Sequence, residues 1–173
     1  VWAWRKGRIK KIKKSTDIVF AILPFEEEFY QKYGHKAVFV GHQLANKTKN
    51  IIPIREARNK LGLILASDFV ISVLPGSRKP EIDKLLNIYL NTVENYNFYK
   101  NFSLVLPIKK QLASYVSNIK KKKNISFDVT ILDNEEAKYE SFVVADYAIA
   151  TSGTVALELS YFNIAYLVAY KFN

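Results

Sequence analysis

The chain has 173 residues, 49% of them hydrophobic and 14% aromatic, so it can bury a substantial core and is not a disordered polymer. It contains no cysteine, which excludes disulfides and thiol catalysis, and its two histidines argue against a dedicated zinc cluster. The formal net charge of +10 points to anionic partners, although charge alone does not separate nucleic acid, acidic lipid and phosphorylated metabolites.

The chain begins with a predicted strand and a strongly basic helix. Val1–Trp4 read as the strand, and Arg5–Lys14 as a helix with Ile9 and Ile12 on one face. Most of the excess positive charge lies in this helix. A basic amphipathic segment can lie on an acidic membrane surface, and it can equally be a solvated cationic face, which is the commoner case. The sequence leaves both interpretations open.

A strand, a helix and a second strand follow. Asp17–Leu23 is an apolar run rich in β-branched residues that Pro24 interrupts, and Phe25–Tyr33 is predicted to be a helix closed by Gly34. Ala37–Val40 is the next predicted strand. This part of the chain therefore has a β–α–β pattern.

The end of that second strand carries His42, and a domain boundary follows it. A histidine at the end of a strand could contact a ligand or act in catalysis, although such a residue more often forms a local hydrogen bond. Ala45–Asn50 is polar and rich in lysine, which is typical of a linker. We therefore predict that residues 1–46 and 47–173 belong to different domains.

From Ile54 onward, strands and helices alternate as in a doubly wound parallel sheet with helices on both faces. The predicted strands are Phe69–Leu74, Phe102–Leu106, Phe127–Leu132, Tyr147–Ala150 and Ile164–Ala169. The predicted helices are Ile54–Leu61, a long helix after Arg78, Lys109–Lys123, Glu135–Val144 and Val155–Tyr161. The apolar face of the long helix is predicted to lie in the core and comprises Ile82, Leu85, Leu86, Tyr89, Val93 and Tyr96.

The lysine cluster at the end of the Lys109–Lys123 helix suits the negative end of the helix dipole. A nucleic-acid surface would interleave aromatic side chains for base stacking, and this segment lacks that pattern. We therefore expect no nucleic-acid partner.

Two turns of small residues each follow a strand and precede a helix, at Leu74–Arg78 and at Thr151–Thr154. Ligands of doubly wound sheets bind at the carboxyl ends of the strands, where both turns are predicted to lie. In the first turn Gly76 permits close approach of the backbone, and Ser77 and Arg78 add hydrogen-bond donors beside a helix N-terminus. This pattern predicts a phosphate site, and an ordinary turn with a solvated arginine is the alternative.

Glu158 lies one turn into the helix that follows the second turn. It could accept hydrogen bonds from a sugar diol while the turn holds a phosphate, which is the pair of groups that a nucleotide offers. Alternatively, it complements the dipole of its own helix. Neither turn fits G-x-G-x-x-G or the P-loop with its lysine, so a nicotinamide enzyme and a P-loop ATPase are poorly supported.

Six separated segments, taken together, carry a resemblance to one known family. They are Val1-Trp2-Ala3-Trp4-Arg5, Leu23-Pro24-Phe25-Glu26, Gly41-His42 with Leu44, Leu74-Pro75-Gly76-Ser77-Arg78 with Glu81-Ile82, Thr151-Ser152-Gly153-Thr154 with Leu157-Glu158, and Tyr170-Lys171. In this order and spacing they resemble the lipid-A-disaccharide synthases, which are glycosyltransferases of the two-domain GT-B type. The resemblance covers essentially the whole chain.

The resemblance implies an α/β fold of the GT-B type. Residues 1–46 would be the end of the N-terminal, acceptor-side domain, and residues 47–173 would be an incomplete Rossmann-like domain that binds the UDP-sugar donor. The implied donor-site residues are Gly76, Ser77 and Arg78 at the UDP diphosphate, Ser152, Gly153 and Thr154 along the site, and Glu158 at the ribose hydroxyls. His42 would lie at the interdomain cleft.

The implied reaction transfers 2,3-diacylglucosamine from its UDP carrier to 2,3-diacylglucosamine 1-phosphate, which gives lipid A disaccharide 1-phosphate and UDP. The resemblance implies no metal and no cofactor. It also implies a cytoplasmic enzyme at the periphery of the inner membrane, in contact with acidic lipid through Arg5–Lys14. The full-length protein is expected to form a homodimer.

The chain opens on Val1 instead of a methionine, and we expect it to be an internal fragment that is inactive alone. The family's glycine- and serine-rich loop, with the acidic residue proposed as general base, would lie upstream of Val1. The segment that completes the fold would lie beyond Asn173. A non-catalytic module that binds nucleotides or nucleic acid is the alternative from another class. A third interpretation is a related GT-B enzyme, such as an epimerase or a muramyl-pathway transferase, which would keep the UDP site but act on a different acceptor.

Overall fold

A computed structural model of the chain describes residues 5, 7–47, 51–63, 69–95, 101–123, 125 and 127–171. The predicted strand Val1–Trp4 and the predicted core residue Tyr96 lie outside the described residues. The chain divides into two units, Val1–Lys49 and Asn50–Asn173.

The first unit contains a pair of parallel strands, with Val19 opposite Ala37. Its elements, in chain order, are α1 (Arg8–Ser15), β1 (Val19–Ala21), α2 (Pro24–Lys32), β2 (Ala37–Phe39) and α3 (Leu44–Lys47). The predicted β–α–β pattern is confirmed. The first three residues of the predicted linker, 45–47, belong to the single helical turn α3, which starts at the buried Leu44.

The apolar side of α1 packs within this unit. Ile9 is buried together with Tyr30 and Ala37, and Ile12 packs against the same cluster. The predicted helix and its isoleucine face are therefore present, but the isoleucines are committed to the core of the unit. Any contact of α1 with a lipid surface would depend on its exposed basic side chains.

The second unit is a five-stranded parallel sheet in the order β5-β4-β3-β6-β7. Its elements are α4 (Ile54–Lys60), β3 (Phe69–Leu74), α5 (Lys79–Asn95), β4 (Phe102–Pro107), α6 (Lys110–Lys123), β5 (Asp128–Leu132), α7 (Glu135–Val144), β6 (Tyr147–Ala150), α8 (Thr154–Tyr161) and β7 (Ala165–Val168). The predicted alternation of strands and helices is confirmed.

The central strands are apolar on both faces because helices cover both faces of the sheet. Ile71 and Val73 of β3 pack with α5 and α6 in one core cluster. Val70 and Leu74, which point the other way, belong to clusters formed with α4, α7 and α8. Five of the predicted core positions of α5 are buried, namely Ile82, Leu85, Leu86, Tyr89 and Val93. Leu90 is buried as well, although the predicted apolar face did not include it.

The order in which strands are added to the sheet reverses between β3 and β6. From β3 the chain runs outward through β4 to β5, and it then crosses back through α7 to pair β6 with the other edge of β3. Leu74 is paired with Ala150, and the Thr151 N–H donates to the Leu74 carbonyl at 2.9 Å. The turns that follow β3 and β6 therefore leave the sheet side by side.

None of the helices in the described ranges is both long enough and apolar enough to cross a bilayer.

The two faces of α5 provide a direct test of this packing. Leu86 is 1% exposed and Ile88, two residues later on the same helix, is 41% exposed. We expect Leu86→Ala to lower the free energy of unfolding by about 2–5 kcal/mol, because it leaves a cavity in the core. Ile88→Ala should change it by roughly 0.5 kcal/mol or less. Denaturant titration followed by circular dichroism measures both, and equal losses would contradict the assigned helix orientation.

Candidate functional site

A cavity of about 550 Å³ lies at the carboxyl ends of four neighbouring strands of the second unit. Small-molecule sites typically have volumes of roughly 300–1,000 Å³. Its wall consists of residues from the turns after β3, β4, β5 and β6 and from the first turns of α5, α7 and α8. This is the crevice at which open α/β sheets bind ligands.

All seven donor-site residues predicted from the sequence line this one cavity; they are Gly76, Ser77, Arg78, Ser152, Gly153, Thr154 and Glu158. The pairing of β3 with β6 brings the two turns together. Their contact with a ligand stays a prediction.

The first turn already holds an anion, the carboxylate of Glu81. Its Oε2 accepts hydrogen bonds from the backbone N–H groups of Ser77 at 2.8 Å and Arg78 at 3.2 Å. Its Oε1 lies 3.6 Å from Nη1 of Arg78. An acidic residue in the first turn of a helix commonly reaches back to the preceding N–H groups in this way. The backbone donors that the sequence offers to a phosphate are therefore occupied by the protein itself.

The same contact explains why position 76 is a glycine. Gly76 has φ +122°, and a Cβ atom there would lie 2.4 Å from Oε2 and 2.6 Å from Cβ of Glu81. The sequence suggested that Gly76 makes room for a ligand. In the structure that room is filled by Glu81, so the glycine is required by the turn itself.

The second turn is open towards the cavity. Gly153 precedes α8 with φ 150° and ψ −162°, and it has no side chain that could cap the first N–H groups of the helix. Thr151, at the start of this turn, is 7% exposed, and among the described residues its Oγ1 has no hydrogen-bond partner. Buried hydroxyls are nearly always partnered, so this group is suited to a polar group of a ligand. The sequence predicted Thr151 as part of this turn, but only the three residues after it were predicted to line the donor site.

Lys138 is a further site residue that sequence reasoning missed. Asn134 caps α7 by accepting a hydrogen bond from Ala137 N–H at 2.7 Å, which places Lys138 in the first turns of the helix. Nζ of Lys138 lies 2.6 Å from Oε2 of Glu158. The side chains of Lys138 and Glu158 are 27% and 13% exposed, so the ion pair is partly shielded from water along the cavity wall.

Aromatic side chains support this ion pair. The Lys138 ammonium lies 5.2 Å from the centre of the Tyr139 ring and 5.8 Å from that of Phe142. Burial, followed by the negative charges of Glu158 and Glu135, raises the pKa of Tyr139 to about 12. The same burial and charges favour the neutral phenol, which can donate a hydrogen bond to a carboxylate.

His42, the remaining predicted site residue, belongs to the first unit. Its Nδ1 accepts a hydrogen bond from Leu44 N–H at 3.2 Å. This local contact is the commoner role for a histidine after a strand, and a role in an interdomain cleft stays a prediction.

Within the described part of the chain, no three His, Cys, Asp or Glu side chains are grouped so that they could hold a metal ion.

The doubly wound sheet, with two small-residue turns at its switch point, has the architecture of GT-B glycosyltransferases. The wall teichoic acid polymerase TagF superposes with a TM-score of 0.55 at 14% identity, over 93% of this chain and 40% of that chain. Anabaena Alr3699/HepE, solved in complex with UDP and glucose, gives a TM-score of 0.55 at 14% identity, over 93% of this chain and 46% of that chain. At these identities the likeness establishes the fold alone.

The sequence establishes the family. Residues 1–173 match the family model described as LpxB, lipid-A-disaccharide synthetase, and the chain belongs to this family. The resemblance drawn from the six motifs is thus confirmed. The lipid-A-disaccharide synthases of Idiomarina loihiensis and Francisella philomiragia are 37% and 32% identical over 175 and 176 residues. The alignments cover 100% of this chain but only 45% and 46% of these relatives, so the chain spans about half their length.

The close approach of Glu81 to Gly76 predicts that Gly76→Ala is unusually destabilising. Gly153→Ala is the matched control, because Gly153 also has a positive φ but a Cβ there would meet nothing within 4 Å. Backbone strain should cost about 1–3 kcal/mol in either variant. Gly76→Ala should lose about 1–3 kcal/mol more, because it must displace Glu81. Chemical denaturation measures both, and equal losses would argue against the contact with Glu81.

Proposed function

We propose that residues 47–173 of this chain form the UDP-sugar donor domain of a lipid-A-disaccharide synthase. The enzyme would transfer 2,3-diacylglucosamine from its UDP carrier to 2,3-diacylglucosamine 1-phosphate and release UDP. The family match over all 173 residues is the observation that carries the proposal. It is supported by the single cavity that both turns and Glu158 line.

In this proposal the two parts of the chain have different roles. Residues 1–46 belong to the acceptor-side domain, and residues 47–173 bind the donor. Because the chain spans less than half of its relatives' length, the complete reaction is proposed for the full-length enzyme. We assign no general base within this chain and expect it to be inactive alone. The full-length enzyme is proposed to act as a homodimer.

The chemistry required of the donor half is the stabilisation of a departing diphosphate. The guanidinium of Arg78 and the N-terminus of α8, with Ser152, Gly153 and Thr154, would face the phosphates. Ser77 and Gly76 would shape the first turn, since the Ser77 N–H is already bonded to Glu81. Glu158 would accept hydrogen bonds from the ribose. Preorganised donors of this kind need no reorganisation as negative charge develops on the leaving group.

UDP binding to this chain tests the donor site. The side chain of Arg78 is 79% exposed, so its replacement by alanine should disturb the fold little. A charge-assisted hydrogen bond is worth about 1.5–3 kcal/mol, and we therefore expect Arg78→Ala to weaken UDP binding about tenfold or more in calorimetry. Lys122→Ala removes one exposed charge from the end of α6 and should leave UDP affinity unchanged. No UDP binding by a folded wild-type sample would refute the proposed donor site.

We also propose that the basic side chains of α1 hold the enzyme at an acidic membrane surface on its cytoplasmic side. The proposal is supported by the exposure of Lys10, Lys11 and Lys14 and by the use of Ile9 in the core. The interaction would be electrostatic, since the apolar face of the helix is already buried.

Vesicle binding tests this second proposal. Each lysine near an anionic surface contributes about 1 kcal/mol, so Lys10→Gln with Lys14→Gln should weaken binding to phosphatidylglycerol vesicles roughly thirtyfold at low salt. Lys121→Gln with Lys122→Gln removes the same charge from α6 and should have little effect. Cosedimentation measures both, with phosphatidylcholine vesicles as the neutral control. If the two double variants weakened vesicle binding equally, the attraction would be due to net charge alone and the proposed role of α1 would be wrong.

A further inference from the structure

The carboxylate of Glu158 does not stand alone in the cavity wall. One of its oxygens, Oε2, lies 2.6 Å from Nζ of Lys138, which reaches it from the neighbouring helix α7. Both side chains line the cavity. The prospective ribose site therefore contains a hydrogen-bond acceptor and a hydrogen-bond donor side by side.

Partial burial makes this pair interdependent. A carboxylate that is only 13% exposed is poorly solvated, and loss of its cation would leave its charge uncompensated. The ammonium is itself held above the rings of Tyr139 and Phe142. Tyr139 stacks on Phe162 at 5.6 Å, so the aromatic support is part of the core between α7 and α8. Lys138 thus fixes the position of Glu158, and the packed rings of Tyr139 and Phe142 fix the position of Lys138.

The chemistry of the pair matches a vicinal diol. Each hydroxyl of a diol can donate one hydrogen bond and accept others, a carboxylate only accepts, and an ammonium only donates. With Oε2 bonded to Lys138, the other carboxylate oxygen can accept from one hydroxyl while the ammonium donates to its neighbour. A deoxygenated sugar would leave the second carboxylate oxygen and an ammonium proton without hydrogen-bond partners in a partly shielded site, which favours the intact diol.

We infer that Lys138 is a specificity-determining residue, which acts with Glu158 to select a nucleotide that carries an intact ribose diol. The inference rests on the proposed donor site, because it assigns a second residue to the ribose end of that site. Lys138 is distinct from the residues at the diphosphate end, Arg78 and the turn at Gly153.

The test compares UDP with 2′,3′-dideoxyuridine 5′-diphosphate, which lacks both hydroxyls and keeps the diphosphate. The measured quantity is the ratio of their dissociation constants in calorimetry. We expect the wild-type chain to prefer UDP by roughly tenfold or more. Lys138→Met, which keeps the aliphatic stem over the aromatic rings, should bring the ratio close to one. Lys138→Arg should retain part of the preference, because the guanidinium can still donate.

Two controls separate specificity from charge and from folding. Lys109→Met removes another cationic side chain of the cavity wall and should leave the ratio unchanged. Glu158→Gln should reduce the ratio as Lys138→Met does, and the double variant should show no further reduction, since the two side chains act as one unit. Circular dichroism establishes that each sample is folded, and Lys138→Gln replaces Lys138→Met if the latter does not fold.

The possible results are distinguishable. A ratio that collapses in Lys138→Met and Glu158→Gln but not in Lys109→Met supports the inference. Equal weakening of both nucleotides by Lys138→Met would make Lys138 a phosphate ligand and overturn it. A wild-type chain that binds both nucleotides equally would also overturn it while leaving the proposed UDP site intact. Failure of a folded wild-type chain to bind either nucleotide would overturn both.

Discussion

The parallel pairing of β3 with β6 is the constraint on which the site depends. Leu74 and Ala150 are opposite each other at the ends of these strands, and the Thr151 N–H bonds to the Leu74 carbonyl. The chain reaches this arrangement only by running out to β5 and crossing back, which places the reversal of strand order between β3 and β6. Two turns that are far apart in sequence consequently open into one cavity, as expected at a topological switch point.

The two turns are similar in sequence but differ in electrostatics. The first turn is neutralised internally, because Glu81 accepts from Ser77 and Arg78 and fills the space beside Gly76. The second turn leaves the N-terminus of α8 uncapped by a side chain. Positive charge at the cavity therefore comes from this helix end and from the side chains of Arg78, Lys109 and Lys138. In the proposed site Arg78 serves the diphosphate end and Lys138 the ribose end.

The packing of α7 against α8 forms the proposed ribose end of the site. The aromatic side chains of Tyr139, Phe142 and Phe162 join the two helices in one core cluster. Above this cluster the helices present Lys138 and Glu158 to each other. The same pair of helices thus makes both the core contact and the ion pair. The geometry of the proposed ribose site therefore depends on how stably α7 and α8 pack together.

The sequence by itself determined the elements and the motif residues. Apolar runs bounded by turn residues predicted β3, α7 and β6 with the bounds that the structure has, because hydrophobic periodicity and caps are local properties. The contact of Glu81 with the first turn could also have been predicted from the local sequence, since an acidic residue three positions after Arg78 is a capping signal. Only the tertiary structure decided the strand order and the pairing of Lys138 with Glu158. Both depend on which elements lie side by side, and no local pattern specifies the register between two helices that are separated by a strand.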